Sequence, residues 1–114
     1  MKTAAILTLG LATLPLTAEA RTEISWWHAM SGANAEVVAK IAGDFNASQS
    51  DYVVKPVFKG TYPETLNAGI AAFRARQPPH IIQVFDVGTG VMMGAKSAIK
   101  PVADVMRSEE HTSE

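Results

Sequence analysis

Apolar positions along this chain change rhythm several times, and each change marks an element. Glu23 to Trp27 is short and rich in β-formers, and predicts a first strand. Asn34 to about Ala47 carries Val37, Val38, Ile41, Ala42 and Phe45, the spacing of a helix with one apolar stripe. Tyr52 to Lys59 is again β-branched and aromatic, and Pro56 within it points to an edge strand or an irregularity. Thr61-Tyr62-Pro63-Glu64 follows Gly60 and fits a capping box: the Thr61 hydroxyl takes the Glu64 amide and the Glu64 side chain reaches back. Pro63 falls in the first helical turn, where its missing N–H costs nothing. That helix is expected to run to about Arg76 with Leu66, Ile70 and Phe73 on one face, ending before Pro78-Pro79. His80 to Phe85 is nearly all apolar and predicts a third strand buried on both faces. A loop over Asp86–Gly90, a short helix over Val91–Lys96 and a helix starting near Val102 complete the pattern.

Strand, helix, strand, helix, strand, helix is the order of an α/β fold. It predicts a mostly parallel sheet with right-handed crossovers. Ligands of such sheets sit beyond the carboxyl ends of the strands. Three loops leave those ends: His28–Ala33, Gly60–Pro63 and Asp86–Gly90.

The two ends of the chain differ from this core. Met1-Lys2, an apolar run from Ala4 to Leu16 and the small-x-small motif Ala18-Glu19-Ala20 predict a secretory signal over residues 1–20, with Arg21 as the mature start. The run is too short for a membrane span. Residues 107–114, Arg-Ser-Glu-Glu-His-Thr-Ser-Glu, are wholly polar and follow an apolar segment without a stop signal. They read as a non-native tail, an in-frame translation of a sequencing-library adapter. One incomplete domain over residues 21–106 is the simplest organisation. With 10 Lys and Arg against 11 Asp and Glu, the chain is nearly neutral, and no basic patch points to nucleic acid. Cysteine is absent, so packing alone must stabilise the fold even where export permits disulfides.

Several residues carry candidate chemistry, each beside a plainer role. Tyr62 opens a helix on the loop after the second strand, where its phenol can hydrogen-bond a ligand and N–H groups favour an anion, or it simply packs over the helix start. Asp86 follows the third strand. Its carboxylate can accept from polyol hydroxyls and would repel a phosphate, or it caps the next helix. Trp26 and Trp27 point to opposite faces, and Trp27 is a candidate for the cleft. His28 closes the first strand and either touches ligand or anchors its own loop; Thr61 is a further candidate. Met92 and Met93 are expected to pack beneath the Gly-rich turn. Gly88-Thr89-Gly90 with Gly94 has the wrong gap for a dinucleotide fingerprint, and no phosphate loop occurs. His28, His80 and His111 have no metal-ligand spacing, so no metal or other cofactor is expected. A hydrolase built on Ser31, His28 and Asp86 lacks a nucleophile elbow, so the chain does not read as an enzyme.

The stretch from Lys59 to Met93, together with Ile24-Ser25-Trp26-Trp27-His28, resembles the extracytoplasmic solute-binding proteins of ABC importers, and among them the glycerol-3-phosphate receptors. The resemblance covers roughly Glu23 to Met106. It implies the first lobe of a two-lobed, type II periplasmic-binding-protein fold. It further implies a periplasmic receptor that delivers sn-glycerol-3-phosphate or glycerophosphodiesters to the importer's permease subunits. Sugar-binding relatives share that fold, so an oligosaccharide is the alternative ligand, and an exported phosphoester or glycan hydrolase the alternative class. The family's ligand-contacting tyrosine falls on Tyr62. Asp86 falls where the family has glutamate, one methylene longer, so either a water bridges the gap or the preferred solute differs. The family's phosphate-binding arginine lies beyond residue 106.

Overall fold

The computed structural model describes residues 20–95, 98–100 and 102–110. The expected signal sequence, apart from Ala20, lies outside the described residues, as do Lys96 and residues 111–114 of the polar end. Seven elements follow in order: β1 (Thr22–His28), α1 (Ala33–Ser48), β2 (Tyr52–Phe58), α2 (Tyr62–Arg74), β3 (Ile81–Ile82), α3 (Asp86–Gly94) and α4 (Val102–Glu110). The three strands form one parallel sheet in the order β2-β1-β3. The α/β class and the parallel sheet are as expected. Pro56 lies on β2, an edge of this sheet, opposite Trp26. Its missing donor therefore interrupts no ladder on the outer side.

The chain crosses from β1 to β2 through α1 and back past β1 to β3 through α2, and because such crossovers are right-handed these opposite directions put α1 and α2 on opposite faces. The register names the faces. Trp27 pairs with Ile82 of β3 and with Val57 of β2. A side chain on Gly69 of α2 would run into Ile82 Cδ1, so this is the α2 face. Lys59, two residues beyond Val57, shares it. Trp26, His28 and Phe58 lie on the α1 face, with ring centroids 6.1 Å apart for Trp26–His28 and 6.0 Å for His28–Phe58.

Local chemistry accounts for most boundaries. The Thr61 capping box forms as expected: Thr61 N–H donates to Glu64 Oε2 at 2.6 Å and Glu64 N–H to Thr61 Oγ1 at 3.4 Å. Gly32 starts α1 with φ 54°, a left-handed conformation that suits glycine. Asn46 holds α1 to β2 by both ends of its amide, accepting from Val54 N–H at 2.7 Å and donating to Val54 O at 2.9 Å. Arg21, the expected first residue after signal removal, is tied into the fold: its guanidinium donates to the carbonyls of Asn46, Gln49 and Ser50.

Four expectations are corrected. The α1 stripe divides: Val38 and Ala42 are buried, while Val37 and Ile41 are more than half exposed. Neighbouring positions stand about 100° apart around a helix, so Val37 cannot face the sheet together with Val38. β3 is shorter than expected and is not covered on both faces; Ile81 is 47% exposed at the second edge of the sheet. Asp86–Gly90 is not a loop but the first half of α3. Tight contact explains that reversal, because a Cβ on Gly88 would lie 3.0 Å from Val84 Cγ1, 3.1 Å from Phe85 Cε1 and 3.2 Å from Leu66 Cδ2. Glycine lets this turn press onto α2, so packing outweighs its poor helix propensity. Finally, Met92 is half-buried but Met93 is 69% exposed, so the pair does not pack together beneath the turn.

Candidate functional site

All three strands end on one side of the sheet, and the candidate residues gather there. Tyr62 is the first residue of α2. Its ring lies against Phe85, centroids 5.4 Å apart and planes inclined by 33°, an offset aromatic pair worth about 0.5–1.5 kcal/mol beyond area burial. The ring is 38% exposed, and its hydroxyl has no partner among the described residues. Asp86 follows Phe85 directly and opens α3. Its Oδ1 accepts from the Val87 N–H at 2.8 Å, and no other bond reaches this exposed carboxylate among the described residues. The Phe85 ring therefore links the tyrosine of one loop to the aspartate of the next.

Trp27 lies half-buried on the same face, with Lys59 Nζ 3.9 Å from its ring centroid. His28 goes the other way. It is 5% exposed on the α1 face, and its Nδ1 accepts from the Met30 N–H at 3.3 Å, so it anchors its own loop. Thr61 spends its hydroxyl within the capping box, donating to Glu64 Oε2 at 2.9 Å.

This arrangement closes one route that the sequence suggested for an anion. At the start of α2 the Glu64 amide is taken by Thr61 Oγ1, the Thr65 amide by Thr61 O, and Pro63 has none. The Glu64 carboxylate, bonded to the Thr61 N–H and hydroxyl, is held below the usual glutamate range by those bonds. Only the Tyr62 amide remains, beside a negative charge. The end of α2 is thus a finished cap rather than an open anion site.

Three contributors escape sequence reasoning. Phe85 orients Tyr62. Lys59 covers Trp27. Gln83 ties β3 to the β1 loop, donating its backbone N–H to Trp27 O at 2.8 Å and accepting from the Ala29 N–H through Oε1 at 3.0 Å. The polar Gln83 within the run Ile81-Ile82-Gln83-Val84-Phe85 was the one signal that could have singled it out. A wide apolar concavity of about 910 Å³ lies elsewhere, towards the C-terminal end of α2 and including Ile70, Phe73, Ile81 and Ile99; it contains none of the candidate residues. No group of three or more His, Cys, Asp or Glu side chains suited to a metal occurs among the described residues.

No family model matches the chain. Individual proteins do. The chain is 72% identical over 93 residues to the sn-glycerol-3-phosphate-binding periplasmic protein UgpB of Agrobacterium fabrum, covering 82% of this chain and 21% of that protein. It is 57% identical over 105 residues to the protein of the same name from Brucella abortus, covering 91% of this chain and 24% of that protein. With the Escherichia coli O1:K1 protein of that name it shares 50% identity over 105 residues, 92% of this chain and 24% of that protein. The chain spans about a fifth to a quarter of the length of these curated relatives. Along at least four-fifths of its own length, then, the chain is similar to the sn-glycerol-3-phosphate-binding periplasmic proteins.

Proposed function

We propose that the protein is a periplasmic solute receptor of an ABC importer that binds sn-glycerol-3-phosphate or a glycerophosphodiester and hands it to the membrane permease. The observation that carries this reading is the Tyr62–Phe85–Asp86 cluster at the carboxyl ends of a parallel sheet. It occurs in a chain 72% identical to a protein named for binding this solute. Tyr62 supplies an aromatic face and an uncommitted hydroxyl. Asp86 supplies an acceptor for glycerol hydroxyls, and its charge keeps the phosphate at a distance. Trp27 is the third contact, through Lys59 above its ring. Thr61 and His28 act behind the site, the first by fixing the start of α2, the second by fixing the β1 loop.

Export fits the same reading. Residues 1–20 serve as the signal, and Arg21 begins the mature chain already bonded to the end of α1. N-terminal sequencing of the periplasmic protein should find Arg21.

The deciding experiment is calorimetric titration of the complete gene product with sn-glycerol-3-phosphate, glycerophosphocholine and maltose, followed by recovery of the ligand. A receptor saturates at one ligand per protein and returns it unchanged. Saturation by maltose alone would favour an oligosaccharide receptor, and recovered glycerol with free phosphate would mean a hydrolase.

A further inference from the structure

We propose that Lys59 supplies a positive charge to the phosphate of the bound solute, and that the solute lies across the strand ends with its phosphate towards β2 and its glycerol towards β3. This deepens the function proposed above and rests on it.

Most described cations of this fold are engaged or lie away from the strand ends; Lys100 lines the concavity at the C-terminal end of α2. Lys40 is paired with Asp44, Lys55 with Glu23 and Arg107 with Asp104. Arg21 is consumed by three carbonyls. Arg74 and Arg76 lie at the far end of α2 from Tyr62. Lys59 has no carboxylate partner among the described residues, although it is half-buried. An ammonium held against an aromatic face keeps its charge while losing part of its water shell and its freedom to move. It is therefore pre-positioned for an anion and loses little further entropy on binding one.

The alternatives for that role are already occupied. The cap on α2 takes the Glu64 and Thr65 amides and sets the Glu64 carboxylate beside the one that remains. At the start of α3 the Gly88 and Thr89 amides go to Phe85 O and the Val87 amide to Asp86. Each helix start carries a carboxylate beside its few remaining amides, so a cationic side chain is the group of this layer best suited to phosphate.

Position sets the orientation. Lys59 continues β2, Trp27 belongs to the central β1, and Asp86 follows β3. Adjacent strands lie about 4.8 Å apart, so the outer two are separated by roughly 10 Å. A three-carbon phosphoester spans that gap between a cation leaning inward over Trp27 and a carboxylate at the opposite edge. The reverse orientation would set phosphate against Asp86.

The test uses the complete gene product and three variants: Lys59→Met, Lys59→Gln and Lys59→Arg. Each is titrated with sn-glycerol-3-phosphate at low and high salt, and thermal unfolding is followed alongside. Loss of a charge-assisted contact should weaken binding by about 10- to 100-fold in the Met and Gln variants. It should also flatten their salt dependence, while Arg stays within a few-fold of wild type. A lysine that only packs on Trp27 would lower the unfolding temperature and leave affinity and salt dependence unchanged; that result overturns the proposal. If wild type binds sn-glycerol-3-phosphate and the Met or Gln variant binds it equally well, Lys59 is excluded while the receptor reading stands. If wild type fails to bind the phosphoester at all, both fall.

Discussion

Tyr62 reaches the strand ends with an uncommitted hydroxyl, and Asp86 with a carboxylate that accepts only from the Val87 N–H among the described residues. In the complete gene product, Tyr62→Ala and Asp86→Ala should each weaken sn-glycerol-3-phosphate binding by about 1–3 kcal/mol, the cost of removing one partner of a buried polar contact. Calorimetry that finds wild-type affinity in both variants would move the site elsewhere. Glu64 gives a prediction in acid. Its carboxylate accepts from the Thr61 N–H and hydroxyl, so its pKa is lower in the folded chain than in the unfolded one. The stabilisation is therefore complete above the pH at which an unfolded glutamate ionises, and is lost as pH falls through the lower folded value. Thermal unfolding of wild type and Glu64→Gln between pH 7 and pH 3 should show a gap that narrows in acid. A gap that ignores pH would mean that charge plays no part in the cap. The cap, and with it the place of Tyr62 at the start of α2, was legible in the sequence, because a capping box needs only residues three apart. Lys59 was not, because its partner Trp27 lies on another strand.

At the scale of elements, α3 shows where local rules yield to packing. Its sequence, Asp-Val-Gly-Thr-Gly-Val-Met-Met-Gly, is glycine-rich and reads locally as a turn, yet it forms a helix from Asp86. Two glycines within it should respond in opposite ways to alanine. Gly88→Ala meets Val84, Phe85 and Leu66 at close range and should cost about 1–3 kcal/mol through overpacking, despite better helix propensity. Gly90→Ala meets nothing within 4 Å and should add about 0.5–1 kcal/mol. Urea denaturation of the two variants checks the contrast, and equal effects would show that α3 does not press on α2. The α1 stripe carries the same lesson. Periodicity located the helix but overstated its buried face, since Val37 and Ile41 stand beside the contact rather than in it.

At the scale of the molecule, the strand ends offer a solute one layer of contacts. Binding sites for small molecules enclose most of the ligand surface, often between domains. The chain spans only about a fifth to a quarter of its relatives' length. The 114-residue chain alone should therefore show no saturable heat with sn-glycerol-3-phosphate at low micromolar ligand. A 1:1 isotherm in that range would mean that one layer suffices. What the sequence determined by itself was the order and type of the main elements and the capped start of α2. Each of these follows from side chains a few residues apart, or from the alternation of strand and helix. For Pro56 it left an edge strand or an irregularity, and the strand order decided for the edge. Tertiary structure alone decided which residues meet: His80 accepting from Ser25 N–H at 3.1 Å, Gln83 holding the β1 loop, Phe85 against Tyr62, and Lys59 over Trp27. Those contacts depend on strand order, on register and on the face each strand turns to its helix. These are properties of pairing between distant segments, and no local pattern of residues encodes them.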